Sequence, residues 1–276
     1  MIRHPDNAMG ATQADSKAII LSLDSKPLPR SIYAARLSEF PEFTFADRAA
    51  FQFRGIWRDY FGRRMGSAFG GRIILDIGCF DAAFLSRIAA KHPTTAFIGL
   101  DWKCKAIYDG AKLVDSLGLN NIALLRGRGQ DVSRMFAEGE VDEIWLFQPE
   151  PCDRDCDLKT RLITEPFLCT VHRVLRDSSS VLAFKTDDSG SYHWVNRVLV
   201  AAQQNGNHFD VACASMDYWN DPLALAHTAC RFFTGEATAY ENRFLKKRLP
   251  IHYLEMRKIC SNANARFPGE SAPCNP

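Results

Sequence analysis

Between residues 70 and 258, short apolar runs take turns with stretches of helical period, and that alternation constrains the fold more than any other feature of the chain. Arg72-Ile-Ile-Leu-Asp-Ile-Gly78 reads as a buried strand. Phe84, Leu85, Ile88 and Ala89 follow at helical spacing up to Pro93. Further strands are predicted at Thr95–Leu100, Ile122–Leu125, Glu143–Phe147, Ser180–Phe184 and His208–Ala214, with a last one at Tyr253–Met256. Helices are predicted at Cys104–Leu117, Val132–Phe136, Glu165–Leu175 and Tyr192–Gln204. Strands that alternate with helices build βαβ units with right-handed crossovers. The expectation is an α/β, doubly wound, Rossmann-like domain on a mostly parallel seven-stranded sheet, spanning 71–258. Residues 29–70, rich in Arg and aromatics, are expected to pack on it. The polar, Pro-containing ends, 1–28 and 259–276, are expected to be disordered tails.

Composition narrows the function classes. Hydrophobic residues make up 46% of the 276, enough for a sizeable core, and no run approaches a membrane span. The first ten residues carry Arg3, His4, Pro5, Asp6 and Asn7 and no apolar stretch, so no secretory signal is expected. Nine cysteines, odd in number and scattered, fit reduced thiols in a cytoplasmic protein. Cys152 and Cys156 have no matching Cys/His pair nearby, so no metal site is expected. A net charge of +2 excludes a uniformly basic nucleic-acid binder but not a local basic patch.

In open α/β sheets, ligands sit at the carboxyl ends of the strands. The first such turn reads Leu75-Asp-Ile-Gly-Cys-Phe-Asp-Ala82, and the next strand ends Gly99-Leu100-Asp101. An acid there can take the two hydroxyls of an adenosine ribose. A G-x-G-x-x-G run, which brings backbone close to a pyrophosphate, is missing, so a dinucleotide is disfavoured. Asp76, Gly78 and Asp101 suggest S-adenosylmethionine instead. Only one glycine of the usual two or three is present. The turn alone leaves an ordinary acidic loop as an equal alternative. Trp102 is a candidate to stack on adenine or, equally, a core aromatic.

Four stretches in order resemble the bacterial tRNA (guanine-N7)-methyltransferase family. They are Ile74-Leu-Asp-Ile-Gly78 through Phe97-Ile-Gly-Leu-Asp101; Ile144-Trp-Leu-Phe-Gln-Pro-Glu-Pro151; Phe184-Lys-Thr-Asp187; and Thr238-Ala-Tyr-Glu241 with Arg243–Lys247 and Tyr253–Arg257 behind it. The resemblance implies a class I methyltransferase fold, S-adenosylmethionine as cofactor and tRNA as partner. It assigns Asp76 and Gly78 to the methionine part and Asp101 to the ribose. Asp131 comes nearest to the family's acid on the adenine side, with a gap in the match; without the gap, Arg128 falls there. Glu150 would take the catalytic place, with Asp187, Thr238 and Glu241 holding the guanine and Lys159 and Arg161 facing RNA. The chain departs from the family in the glycine-poor turn, in Glu150 for Asp, in Cys152 for Trp, and in Cys156 and Asp157 for Arg and His.

Guanine N7 carries an in-plane lone pair, so no proton must leave before it attacks a methyl sulfonium. Catalysis is then positioning and electrostatics. Glu150, Asp187 and Glu241 are carboxylates that could face the charge arriving on the purine. Each has a plainer reading: a rigid loop acid between prolines, a helix N-cap, and a capping box. Residues 30–72 hold eight Arg against four acids, and 131–157 hold nine acids against two basic residues. Arg54, Arg58, Arg63 and Arg64 beside Phe51, Phe53, Trp57, Tyr60 and Phe61 suit either RNA contact or the solvated face of an amphipathic helix. The acidic stretch would repel a tRNA backbone. A fold that has kept its shape but lost catalysis, or turned to another substrate, is the alternative.

Overall fold

The computed structural model describes residues 28–29, 31–46, 48–151, 161–204, 209–227 and 231–259. Apart from Leu28 and Ile259, the two tails predicted from composition lie outside these. Eight strands form one sheet: β1 (Thr44–Ala46), β2 (Ile73–Ile77), β3 (Ala96–Asp101), β4 (Ile122–Arg126), β5 (Glu143–Phe147), β6 (Val181–Thr186), β7 (Phe209–Ser215) and β8 (His252–Lys258). Their order across the sheet is β1-β4-β3-β2-β5-β6-β8-β7. All neighbours are parallel except β8, which runs antiparallel to both β6 and β7. The expected seven strands become eight because Thr44-Phe-Ala46 pairs with Leu124–Arg126 at the sheet edge. Three residues are too few to leave a period in the sequence.

Side-chain alternation sorts the strand residues onto two faces. Ile73, Leu75, Ile77, Ile98, Leu100, Leu125, Ile144, Leu146, Leu182 and Phe184 face one core layer. That layer is completed by α3 (Trp57–Met65), α7 (Glu165–Val174) and α8 (Ser189–Gln204). Ile74, Phe97, Ile122, Leu124, Trp145, Phe147, Val181 and Ala183 face the other, against α4 (Ala83–Lys91) and α5 (Cys104–Ser116). β2 to β6 are buried along their whole length, as expected of parallel strands covered on both faces. The shorter helices are α1 (Ile32–Arg36), α2 (Arg48–Phe51), α6 (Val132–Met135), α9 (Pro222–His227) and α10 (Ala239–Lys246). No helix among the described residues is long and apolar enough to cross a membrane.

The Arg-rich segment at 48–65 resolves into structure. Phe45, Phe53, Trp57, Tyr60 and Phe61 pack as one ring cluster, mostly tilted or edge-on with Phe53 stacked on Trp57, and Trp57 also stacks on Phe136. Arg54 donates to Ser133 O, Arg58 to Gly71 O and Glu140 O, and Arg64 to Asn120 O and Glu42 O. Arg58 and Arg176 both pair with Asp142, just before β5. Apart from Arg54 at Ser133, these contacts lie at the amino ends of the strands, so Arg58 and Arg64 clamp the edge opposite the strands' carboxyl ends.

Candidate active site

After β2, β3 and β4 add on one side and β5 and β6 on the other, so the topological switch point lies between β2 and β5. Gly78 follows β2 at φ +90°, and its N–H donates to Leu100 O at 2.7 Å. Phe80 and Ala82 take φ +53° and +52°. The turn therefore keeps a left-handed course without the missing glycines, at about 1–2 kcal/mol for each side chain so placed. The Phe80 N–H donates to Asp101 Oδ2 at 3.0 Å and the Lys103 N–H to Oδ1 at 2.7 Å. Gly110 of α5 lets this turn approach: a Cβ there would stand 2.8 Å from Asp81 O and 3.2 Å from the Ala82 Cβ. Asp76 and Asp101 are both buried. Burial, then the Asp101 charge, pushes Asp76 up to about 7. Burial also raises Asp101, against the opposing pull of its two backbone N–H donors.

At the end of β5, Gln148 adopts φ +46° and its N–H donates to Lys185 O at 2.8 Å. Its Oε1 accepts from Thr238 Oγ1 at 3.2 Å, which ties β5 to the start of α10. Glu150 follows between two prolines, its side chain 75% exposed, and pairs with Lys103 Nζ at 2.9 Å. The Lys103 ammonium also lies 5.6 Å from the centre of the Trp102 ring, which is 42% exposed. Asp101, Trp102, Lys103 and Glu150 thus form one connected edge.

At the end of β6, burial raises the half-buried Asp187. The capping role that Asp187 or Asp188 could have played falls to Asp188, whose Oδ2 accepts the Ser191 N–H at 2.5 Å. Glu241 is fully buried: one oxygen accepts the Thr238 N–H at 2.7 Å, and the other meets Trp219 Nε1 at 3.3 Å and Lys185 Nζ at 3.2 Å. Thr238 accepts the Glu241 N–H in return, completing a capping box. Glu241 therefore braces α10 from beneath rather than presenting its carboxylate at the surface. Asp131 is buried after β4, with Arg134 Nη1 at 3.5 Å. Arg161 lies over the Trp194 ring at 4.4 Å, and both line a crevice with Pro149, Glu150 and Phe184. Lys159, Cys152, Cys156 and Asp157 lie outside the described residues.

Sequence reasoning missed Lys185 and Gln148. Lys185 is fully buried, with the rings of Phe147, Tyr218, Trp219 and Phe233 within 5.3 Å of its ammonium. A lone lysine in an otherwise apolar central strand was the available signal, since a cation there needs a partner. The acidic stretch also changes meaning. Asp131, Glu140, Asp142 and Glu143 are buried, and Glu140 accepts the N–H groups of Gly55, Trp57 and Ala137. Four of its nine acids are thus withdrawn from the surface.

Comparison with known proteins agrees with this geometry. Residues 71–254 match the model of the family described as "Putative methyltransferase". A tRNA (guanine-N(7)-)-methyltransferase of Cytophaga hutchinsonii is 30% identical over 203 residues, covering 74% of this chain and 85% of the relative. One of Christiangramia forsetii is 28% identical over 207 residues, covering 75% and 85%. The solved structure of an antibiotic-related methyltransferase superposes with a TM-score of 0.53 at 14% identity, over 76% of this chain and 98% of that one. The fold is that of the class I methyltransferases.

Proposed function

The chain belongs to the tRNA (guanine-N7)-methyltransferase family, and we propose that it transfers the methyl group of S-adenosylmethionine to N7 of a guanine in tRNA. The observation that carries the reading is the connected edge at the carboxyl ends of β2, β3 and β5. Asp101 holds the Lys103 backbone, and the Lys103 ammonium holds Glu150, so the cofactor acid and the base-facing acid share one short bridge.

The residues fit the cofactor. A carboxylate offers about four lone-pair sites, and backbone donors occupy two of those on Asp101, which leaves room for ribose hydroxyls. The space beside Gly78 is open. Trp102 offers an exposed ring next to the ribose acid, and the buried Asp131 after β4 is assigned to the adenine side from the sequence match alone. Asp76, held near neutrality by burial, ionises in favour of a cationic group brought against it. When bound, S-adenosylmethionine supplies an electrophilic methyl on a positive sulfur.

In this reading Glu150 and Asp187, at the ends of adjacent strands β5 and β6, accept hydrogen bonds from guanine N1–H and the 2-amino group. Their charge favours a purine that becomes positive as the methyl arrives. Thr238 sets the height of α10 against Gln148, and Glu241 fixes Thr238. Arg161 over Trp194 stands at the mouth of the crevice beside Glu150, placed for phosphate contact, with Lys159 assigned the same role from sequence. The odd, scattered set of nine cysteines favours a cytoplasmic setting.

The test is incubation of the protein with labelled S-adenosylmethionine and mixed tRNA, followed by nucleoside mass spectrometry. Labelled N7-methylguanosine is expected. Glu150→Gln should lose at least tenfold in turnover and keep its cofactor affinity. Tight cofactor binding without labelled N7-methylguanosine from any tRNA pool would move the search to another substrate. No cofactor binding by folded protein would mean a fold without its catalysis.

A further inference from the structure

Four cations cluster on and just after α10. Arg243, Lys246, Lys247 and Arg248 are all exposed, and none has a salt-bridge partner among the described residues. The acids of the same region are spent: Glu236 pairs with Lys91 and Arg87, Glu241 with Lys185, and the buried Glu255 accepts from the Tyr253 hydroxyl at 2.7 Å. Arg243 lies three and four residues from Lys246 and Lys247, a spacing at which like charges repel on a helix. The helix dipole offsets this for Arg243 and Lys246 in the last turn, but not for Lys247 and Arg248 beyond it. On the same helix, Tyr240 is 43% exposed and its ring lies 5.0 Å from that of Phe244. Tyr240 is also within electrostatic range of Asp187, so the aromatic pair borders the proposed base site. The helix begins at Thr238, which is hydrogen-bonded to Gln148 at the end of β5.

We propose that α10 and the turn after it form the RNA-docking surface of the enzyme, with Arg243, Lys246, Lys247 and Arg248 meeting backbone phosphates and Tyr240 stacking on an unpaired base beside the target guanine. The inference rests on the RNA substrate proposed above and deepens it by naming the surface. A folded RNA offers both halves of this chemistry, closely spaced phosphates and bases with an open face. With Asp131, Glu140 and Asp142 buried and Arg58 and Arg64 bonded at the amino edge, α10 and its turn join four cations, none salt-bridged among the described residues, to an exposed aromatic ring at the carboxyl edge.

The experiment compares the full chain with the triple variant Arg243→Gln/Lys246→Gln/Lys247→Gln and with Tyr240→Ala. Binding of unmodified tRNA is measured across a potassium chloride series, alongside kcat and KM for tRNA. Loss of three phosphate contacts should flatten the log–log salt slope by about two to three. The KM for tRNA should rise at least tenfold in the triple variant and about fivefold in Tyr240→Ala. Cofactor affinity and the urea midpoint should be unchanged in both. If the wild-type chain methylates tRNA and the triple variant shows the same KM and slope, the docking surface lies elsewhere and the methyltransferase reading stands. If the wild-type chain neither binds nor methylates tRNA, both fall. A variant that loses its urea midpoint is replaced by the single substitution Lys247→Gln, beyond the helix, whose slope should fall by about one; an unchanged slope there overturns the proposal.

Discussion

Replacing Asp76 by Asn should stabilise the protein while weakening its proposed cofactor site. The carboxyl is buried in the last part of β2 and titrates at about 7 in the folded state, against 3.8 when free. Below pH 4 both states hold the proton, and Asp76 contributes nothing to the pH dependence. Between pH 4 and 7 the unfolded chain ionises it freely and the folded chain does not. The folded state then binds more protons, and stability falls with rising pH by at most about 1.4 kcal/mol per unit. Roughly three units of difference set an upper limit near 4 kcal/mol, reached above pH 7. Asn has nearly the same shape and cannot ionise. The free-energy gain of Asp76→Asn should thus rise from its baseline at pH 4 to a plateau by pH 8. Urea unfolding followed by tryptophan fluorescence at four pH values reads this directly. Calorimetric titration with S-adenosylmethionine at pH 8 should show at least tenfold weaker binding by the variant. A stability difference that does not change between pH 4 and 8 would refute the argument, because burial would then not be acting through ionisation.

Gly110→Ala would drive a methyl into the backbone at Asp81, so it should cost about 1–3 kcal/mol and weaken cofactor binding from behind the turn, as thermal melts and calorimetry would report. Lys185→Met leaves the Glu241 carboxylate buried without its cation and should cost about 3–5 kcal/mol in urea unfolding. Adding Glu241→Gln, which can still accept the Thr238 N–H, should recover much of that loss. Phe80→Gly removes a left-handed side chain and should gain about 0.5–1 kcal/mol after the added freedom of the unfolded glycine is counted, measured by the same unfolding curves.

The strands that hold the site were legible because each is a mostly apolar run buried on both faces. Glu143–Phe147 was placed to the residue, and the others within one or two. The acids at their ends were legible too, since Asp76 and Asp101 interrupt or close such runs. What the sequence hid was non-local. β1 depends on an edge supplied by β4, some eighty residues later. The cation under α10 is recognisable as Lys185 only once Glu241 and four aromatic rings from distant segments close around it. The left-handed backbone at Phe80, Ala82 and Gln148 has no signature in those residue types. Charge counts could not tell which groups are already engaged: Arg54, Arg58 and Arg64 donate to carbonyls, Glu140 accepts backbone N–H groups, and Asp142 pairs with Arg58.

The seat of β8 between β6 and β7 makes the far side of the sheet depend on the last strand of the described residues. β7 precedes β8 in the chain but touches the sheet only through it. Until His252–Lys258 arrives, β6 presents an open edge and β7 has nothing to pair with. The pairing joins Thr186 to His252 across a long intervening stretch, the kind of distant contact that slows folding and leaves strand edges open to other chains. Thr238 and Glu241 lie inside that stretch. The brace under the site therefore lies in a segment closed by that pairing, and truncation before 252 would leave β6 with an unpaired edge and β7 with no strand to pair with.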